Sequence, residues 1–345
     1  MRFEYYHAGL ADVPKLSIDG TVPNSIHFSH WEGNRTPPEV KADTSTEIAL
    51  NLVGSKDAER LTRGVTLVTN NHFDTDGVLS VWTVLTGARA LDLKSELIAA
   101  AEAGDFSAYT NARAVRASIV IQGSDQPVEG EEVGSPLARH LAGETVTDDA
   151  RAYELVLPLI ERVLTRTDDY EPLWRDAWTL IEASLESFAR GASIVEEYTD
   201  VGLSVITLAP ELFGPSGFKP TRHAAPFTAI THHARGQVYL IATPLKNGWS
   251  YRVDYPYYSW AETIVRPRIR RRDFAALIAR LNELENNRQG RWMPDANELA
   301  SAIKFMDQDG SSPAPSGLEP DTVAEEMRAA LNSQESRVRS LESGV

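Results

Sequence analysis

The segment Asn70-Asn71-His72-Phe73-Asp74-Thr75-Asp76-Gly77 crowds one imidazole and two carboxylates into positions 72–76, and hydrophobic packing gives no reason for that. Aspartates two residues apart offer hard oxygen ligands to Mn²⁺ or Mg²⁺. The histidine shifts the preference towards a transition metal, and the glycine permits a sharp turn. His72, Asp74 and Asp76 are therefore the first candidates for metal binding and catalysis. The mundane alternative makes Asp74 a turn cap, Asp76 the cap of a helix starting near Val78, and His72 a surface residue. The flanks favour chemistry. Val65-Thr66-Leu67-Val68 reads as a strand, and Leu79, Trp82, Val84, Leu85 and Ala88 follow a helical pattern. In an open α/β sheet the carboxyl ends of strands border the ligand crevice, and the following helix starts with N–H groups suited to anions.

His72-Phe73-Asp74-Thr75-Asp76-Gly77-Val78-Leu79-Ser80 resembles the first motif of the DHH phosphoesterase superfamily, over about ten residues. The resemblance implies that His72, Asp74 and Asp76 help bind a pair of divalent ions, Mn²⁺ favoured and Mg²⁺ second, that activate water against a phosphoester or phosphoanhydride. It also implies an aspartate after a later strand, and Asp125, following Ala117-Ser118-Ile119-Val120-Ile121, has a comparable place. The Asp-His-His triplet that names the superfamily does not occur in the chain. Thr231-His232-His233 holds the only His-His pair, so His232 and His233 are carried as further metal-ligand candidates; on a regular strand only one of them would face a given site. His30, in Ile26-His27-Phe28-Ser29-His30-Trp31, is a weaker candidate, with His27 behind it. Asp43 ranks with His30, although Thr44-Ser45-Thr46-Glu47 explains its neighbourhood as a capping box. Glu102 and Asp105, at the end of a predicted helix, are ambiguous in the same way.

A second constellation, Arg266-Pro267-Arg268-Ile269-Arg270-Arg271-Arg272, concentrates arginine in an otherwise acidic chain. Guanidinium forks match phosphate oxygens, and along an alternating strand Arg266, Arg268 and Arg270 share one face, which makes them the substrate-binding candidates. Tyr251, Tyr255, Tyr257, Tyr258 and Trp260 could stack on a base or sugar. A solvated edge strand is the bland alternative.

The elements that must position these groups suggest an α/β fold: an open, mostly parallel sheet flanked by helices, with a second, mixed α/β domain. At roughly 150 residues per domain, 345 residues suggest about two. The expected division is an α/β metal-site domain over 1–192, a mixed α/β substrate-binding domain over 193–307, a linker over 308–320 and a C-terminal amphipathic helix over 321–345. Within it, 117–121 is expected as a strand, Ala225 to Thr231 as β-like, and Asn297 to Met306 as a covering helix. Trp174, Trp178, Ile181, Leu185 and Phe188 draw one apolar helical stripe before Gly191.

Zero cysteines remove thiol nucleophiles, thiolate zinc sites and disulfides. The net charge of −15 argues against general nucleic-acid binding. No stretch has the apolar length of a membrane span or a signal peptide, so a cytoplasmic protein without membrane contact is expected. No Gly-x-Ser-x-Gly elbow suggests a serine hydrolase. The leading expectation is a metal-dependent, phosphoesterase-like hydrolase of a small anionic, phosphorylated or nucleotide-like substrate. Two alternatives stay open: a non-catalytic acidic binding or regulatory protein with a degenerate metal site, and a metal-dependent amide or amidine hydrolase. A homo-oligomer is open as well.

Overall fold

A computed structural model of the chain describes residues 1–124, 134–213, 226–295 and 300–342. The chain forms two compact units, Met1–Thr179 with Trp260–Arg268, and Leu180–Ser259 with Ile269–Val345.

In the first unit a parallel sheet has the order β1-β4-β2-β3, built from β1 (Arg2–Phe3), β2 (Leu16–Ile18), β3 (Ile26–Phe28) and β4 (Leu67–Thr69). Leu16 pairs with Ile26 on one side and Val68 on the other. Every residue of β2 and β4 is buried, as expected of strands covered on both faces. The helices are α1 (Ser45–Val53), α2 (Ala58–Thr62), α3 (Thr75–Thr86), α4 (Lys94–Phe106), α5 (Ala112–Gln122), α6 (Pro136–Ala142), α7 (Asp149–Val156), α8 (Ile160–Thr165) and the start of α9 (Glu171–Ala189). Thr44 caps α1 as its capping pattern predicts, accepting from the Glu47 N–H at 3.2 Å. Pro158 sits in the turn Leu157–Leu159 that separates α7 from α8, because proline cannot donate within a helix.

One expected strand is a helix. Residues 117–121 lie inside α5, whose N-cap Asn111 accepts from the Ala114 N–H at 2.9 Å. Ala114, Val115 and Ala117 to Ile121 are all buried, and a helix enclosed on most sides reads as a continuous apolar run.

The second unit holds a six-stranded mixed sheet, order β5-β6-β7-β8-β10-β9, in which only β6 and β7 run parallel. Its strands are β5 (Ile194–Tyr198), β6 (Leu203–Thr207), β7 (Val238–Leu245), β8 (Gly248–Asp254), β9 (Gly290–Pro294) and β10 (Ser301–Asp307). Among the described residues its further helices are α10 (Phe227–His233), α11 (Ala275–Leu284) and α12 (Pro320–Glu342). The helix expected near Asn297 to Met306 is instead β10, where Ser301, Ile303 and Phe305 are buried alternately, a period of two. Within the β-like run expected at 225–231, the residues from Phe227 on are instead helical and belong to α10, which Pro226 caps ahead of the buried Phe227, Ala229 and Ile230. Residues 308–320 are not a free linker: Ser316 bridges Trp249, and Ala314, Ser316 and Leu318 are buried. Val323, Met327 and Leu331 of α12 are fully buried in this unit's core, so its first turns belong to the fold of the second unit.

Candidate metal centre

Three neighbouring parallel strands of the first unit end in polar residues. Asp19 follows β2, Ser29 and His30 follow β3, and Asn70 begins the motif loop after β4. The strand order puts β2 between the other two, so the three loops leave the same edge side by side, where open α/β sheets bind ligands. Asp19 itself has a φ of +67°, a left-handed conformation that costs an L residue about 1–2 kcal/mol and recurs at functional sites. A Cβ on the next residue, Gly20, would lie 2.1 Å from Asn71 Oδ1 and 2.3 Å from Asn70 Oδ1, so both side chains would have to move to admit one.

The motif loop then turns into α3. Asp74 is the N-cap of that helix, its Oδ1 accepting from the Gly77 N–H at 2.7 Å. Asp76, in the first turn, crosses to α1: its two oxygens accept from the Ser45 and Thr46 N–H groups at 2.7 and 2.8 Å. It therefore satisfies the first donors of α1 rather than capping α3. Asp105 comes from the last turn of α4.

These residues form two groups that share Asp19. One oxygen or nitrogen from each of Asp19, His72 and Asp74 lies within 4.8 Å of the others, and the same holds for Asp19, His30, Asp76 and Asp105. His72 Nε2 is 2.8 Å from Asp19 Oδ2 and 3.2 Å from Asp74 Oδ2. His30 Nε2 is 3.1 Å from Asp105 Oδ2, while Nδ1 is 2.9 Å from Ser45 Oγ and 3.5 Å from Asp76 Oδ2. The second group is buried, Asp105 keeping 7% of its side chain exposed; in the first, the side chains of His72 and Asp74 are 26% and 31% exposed. Asp19 Oδ2, His30 Nε2 and His72 Nε2 are buried without a well-aligned hydrogen bond. Buried polar atoms normally find partners, and carboxylate oxygens and imidazole nitrogens gathered this closely are a set that could hold a divalent cation. Carboxylate oxygens and imidazole nitrogens are both ligand types that divalent cations take.

The electrostatics reflect the crowding. Burial opposes charge on His72, yet the Asp19 and Asp74 carboxylates push its pKa up to about 12. Burial likewise opposes charge on Asp19, but His72, His30 and the Ser45 hydroxyl hold it down at about 2. Burial, with Asp105 and Asp19 adding repulsion, raises Asp76 well above the usual carboxylate range. Burial, with Asp74 and Asp19, does the same to Asp105. Carboxylates that share one small volume cannot all ionise without added positive charge.

The structure brings His72, Asp74, Asp76 and His30 together, and adds Asp19 and Asp105. Asp43 is elsewhere: it accepts from the N–H groups of Ile264, Val265 and Arg266 at 2.5, 2.8 and 3.1 Å and from Arg266 Nη1 at 2.9 Å. Burial opposes its ionisation, but those four donors hold it below the usual range. Arg266 also pairs with Glu102 at 2.8 Å, so its guanidinium ties Trp260–Arg268 to the first unit instead of waiting for a substrate. Arg268 is exposed and pairs with Glu32 at 3.5 Å; Arg270 is exposed in the second unit, with buried Ile269 between them. His232 and His233 belong to the second unit, at the end of a helix rather than a strand. There His233 stacks on Phe188 at 4.7 Å, and neither joins a metal-capable group among the described residues. His27 is half-buried beside Thr21 at 3.3 Å. Asp125 lies outside the described residues, and the strand expected before it is α5. Asp19 is the residue the sequence reading missed. Its signal was present in Leu16-Ser17-Ile18-Asp19-Gly20, a short apolar run ending in Asp-Gly, the same strand-then-acid pattern that marked the motif loop.

No curated protein matches the chain. Among solved structures it is similar to the pGpG-specific phosphodiesterase PggH from Vibrio cholerae, with a TM-score of 0.35 and 11% sequence identity over 78% of this chain and 80% of that one. No helix among the described residues is long and apolar enough to cross a membrane. A family profile matches residues 2–340, and the chain accordingly belongs to DUF6687, a family of unknown function.

Proposed function

We propose that the chain is a metal-dependent, phosphoesterase-like hydrolase of a small anionic, phosphorylated substrate, with Mn²⁺ the favoured ion. One ion would be held by Asp19, His72 and Asp74, and another by Asp19, His30, Asp76 and Asp105. The carrying observation is the shared, buried Asp19 with unbonded donor atoms around it. Bound divalent ions would supply an acidified water and offset charge developing on phosphoryl oxygens. The chain's own residues fix the ligands. Ser45 and Thr46 lock Asp76 by two backbone donors, α3 orients Asp74 through its cap, and Trp31, 5.4 Å from the His72 ring, shields that imidazole. The exposed edges of His72 and Asp74 give a substrate its approach. The likeness of 72–80 to the first DHH motif supports a phosphoester over other hydrolysable bonds.

A non-catalytic reading has one specific observation in its favour: the Asp43 and Glu102 carboxylates already engage Arg266, an arginine otherwise suited to a phosphate. The test separates the two. The untagged full chain, loaded with Mn²⁺ and desalted, should retain metal by mass spectrometry and cleave bis-p-nitrophenyl phosphate. Asp19→Asn should lose both ions, and Asp74→Asn only the solvent-facing one. A folded wild type that stays empty after Mn²⁺ addition would overturn the proposal.

A further inference from the structure

We infer that Ser45 is a positioning residue that decides which nitrogen of His30 faces the metal centre, an inference that rests on the metal reading above. Ser45 opens α1 and is fully buried. Its Oγ lies 2.8 Å from Asp19 Oδ1 and 2.9 Å from His30 Nδ1. A hydroxyl has one proton to give, and an ionised carboxylate can only accept. The Ser45 proton therefore goes to Asp19, and the Ser45 oxygen must accept from Nδ1–H of His30. A neutral imidazole carries a single N–H, so Nε2 is left with a lone pair.

That lone pair is the buried, unbonded atom 3.1 Å from Asp105 Oδ2. Asp105, raised well above the usual carboxylate range, offers it a proton in the metal-free state, and a cation coordinated by both would take that proton's place. The backbone N–H of Ser45 meanwhile donates to Asp76 Oδ2 at 2.7 Å. One residue thus contacts three of the four ligands of the buried group: Asp19 by its proton, His30 by its oxygen and Asp76 by its amide. Outer partners of this kind fix a histidine ligand's tautomer, and losing one typically costs about 10–100-fold in metal affinity.

The experiment uses the full chain carrying ¹⁵N-labelled histidine and loaded with ¹¹³Cd²⁺. In the wild type, cadmium should couple to His30 Nε2 while Nδ1 keeps its proton. Ser45→Ala should weaken one of the two bound ions by about 10–100-fold and lose the Nδ1–H signal, and the hydroxyl-bearing Ser45→Thr should restore both. Coupling to Nδ1, or to neither nitrogen of His30, in a cadmium-loaded wild type overturns the inference without any variant, whether or not Ser45→Ala folds. So does a folded Ser45→Ala whose two affinities match the wild type. A wild type that takes up no cadmium overturns the metal reading and this inference together, so the two failures are distinguishable.

Discussion

Asp43→Asn is the perturbation whose size the structure defines most directly. The Asp43 carboxylate is 2% exposed and receives three backbone N–H groups and one guanidinium N–H from the segment 264–266. Hydrogen bonds to a charged group contribute about 1.5–3 kcal/mol each, and they do not sum. Removing one partner of a buried ion pair costs about 3–5 kcal/mol. Asparagine keeps one accepting oxygen, and Arg266 keeps Glu102 at 2.8 Å; the loss should therefore fall at or below the lower end, about 2–3 kcal/mol. Hydrogen exchange read by mass spectrometry gives the local opening free energy. Protection of the Ile264, Val265 and Arg266 amides should fall by about 30–150-fold, at tenfold per 1.4 kcal/mol, while β2 and β4 keep theirs. A change below about threefold, or an equal loss across the first unit, would refute the reasoning. The pH dependence has a fixed sign. The folded pKa of Asp43 is depressed, so the stabilisation is complete above the unfolded carboxyl pKa of about 3.9 and is lost as pH falls through the lower folded value. The wild-type segment should therefore loosen only in acid.

Two further outcomes follow from the centre. In the metal-free protein Asp76 and Asp105 are raised well above the ordinary carboxylate range and His72 is near 12; metal must displace their protons, so Mn²⁺ affinity should rise with pH and calorimetry in buffers of different ionisation enthalpy should register proton release. An affinity independent of pH between 6 and 8 would refute ligation by these groups. Gly20→Ala should drive the new methyl into the Asn70 and Asn71 side chains and lower stability by about 1–3 kcal/mol; an unchanged urea midpoint with unchanged metal uptake would show that the loops part without cost.

What could be read from the sequence tracked how local its cause was. The motif loop was legible because its strand, turn and helix cap are contiguous, and the Thr44 cap and the Pro158 break are local as well. Residues 117–121 misled because an enclosed helix and a buried strand produce the same apolar run, and the deciding N-cap, Asn111, lies six residues upstream. Asp19, His30 and Asp105 escaped or ranked low because each is set by pairing between strands or packing between helices, which no short window contains. The mundane alternative, Asp76 as the cap of α3, fails for the same reason, since its partners on α1 are some thirty residues away. Arginine spacing correctly marked 266–272 as unusual, but only the fold shows Asp43 and Glu102 answering Arg266.

Charge balance sets the limits on what the centre can be. Asp19, Asp74, Asp76 and Asp105 converge there, and among the described residues their ion pairs are to His30 and His72. The guanidinium of Arg266 is engaged by Asp43 and Glu102. Protons can balance part of the charge, by keeping His72 cationic and the deeper carboxyls neutral, and that accounts for a folded metal-free state. Protons leave these carboxylates only partly ionised, whereas the same gathered oxygens and imidazole nitrogens are a set that could ligate a divalent cation. Two divalent cations would carry the charge that four ionised aspartates require, one at each group of ligand atoms sharing Asp19. The residue at the shared corner sits in a left-handed conformation at the end of an inner strand, backbone strain of the kind that clusters where a side chain must be aimed at a ligand.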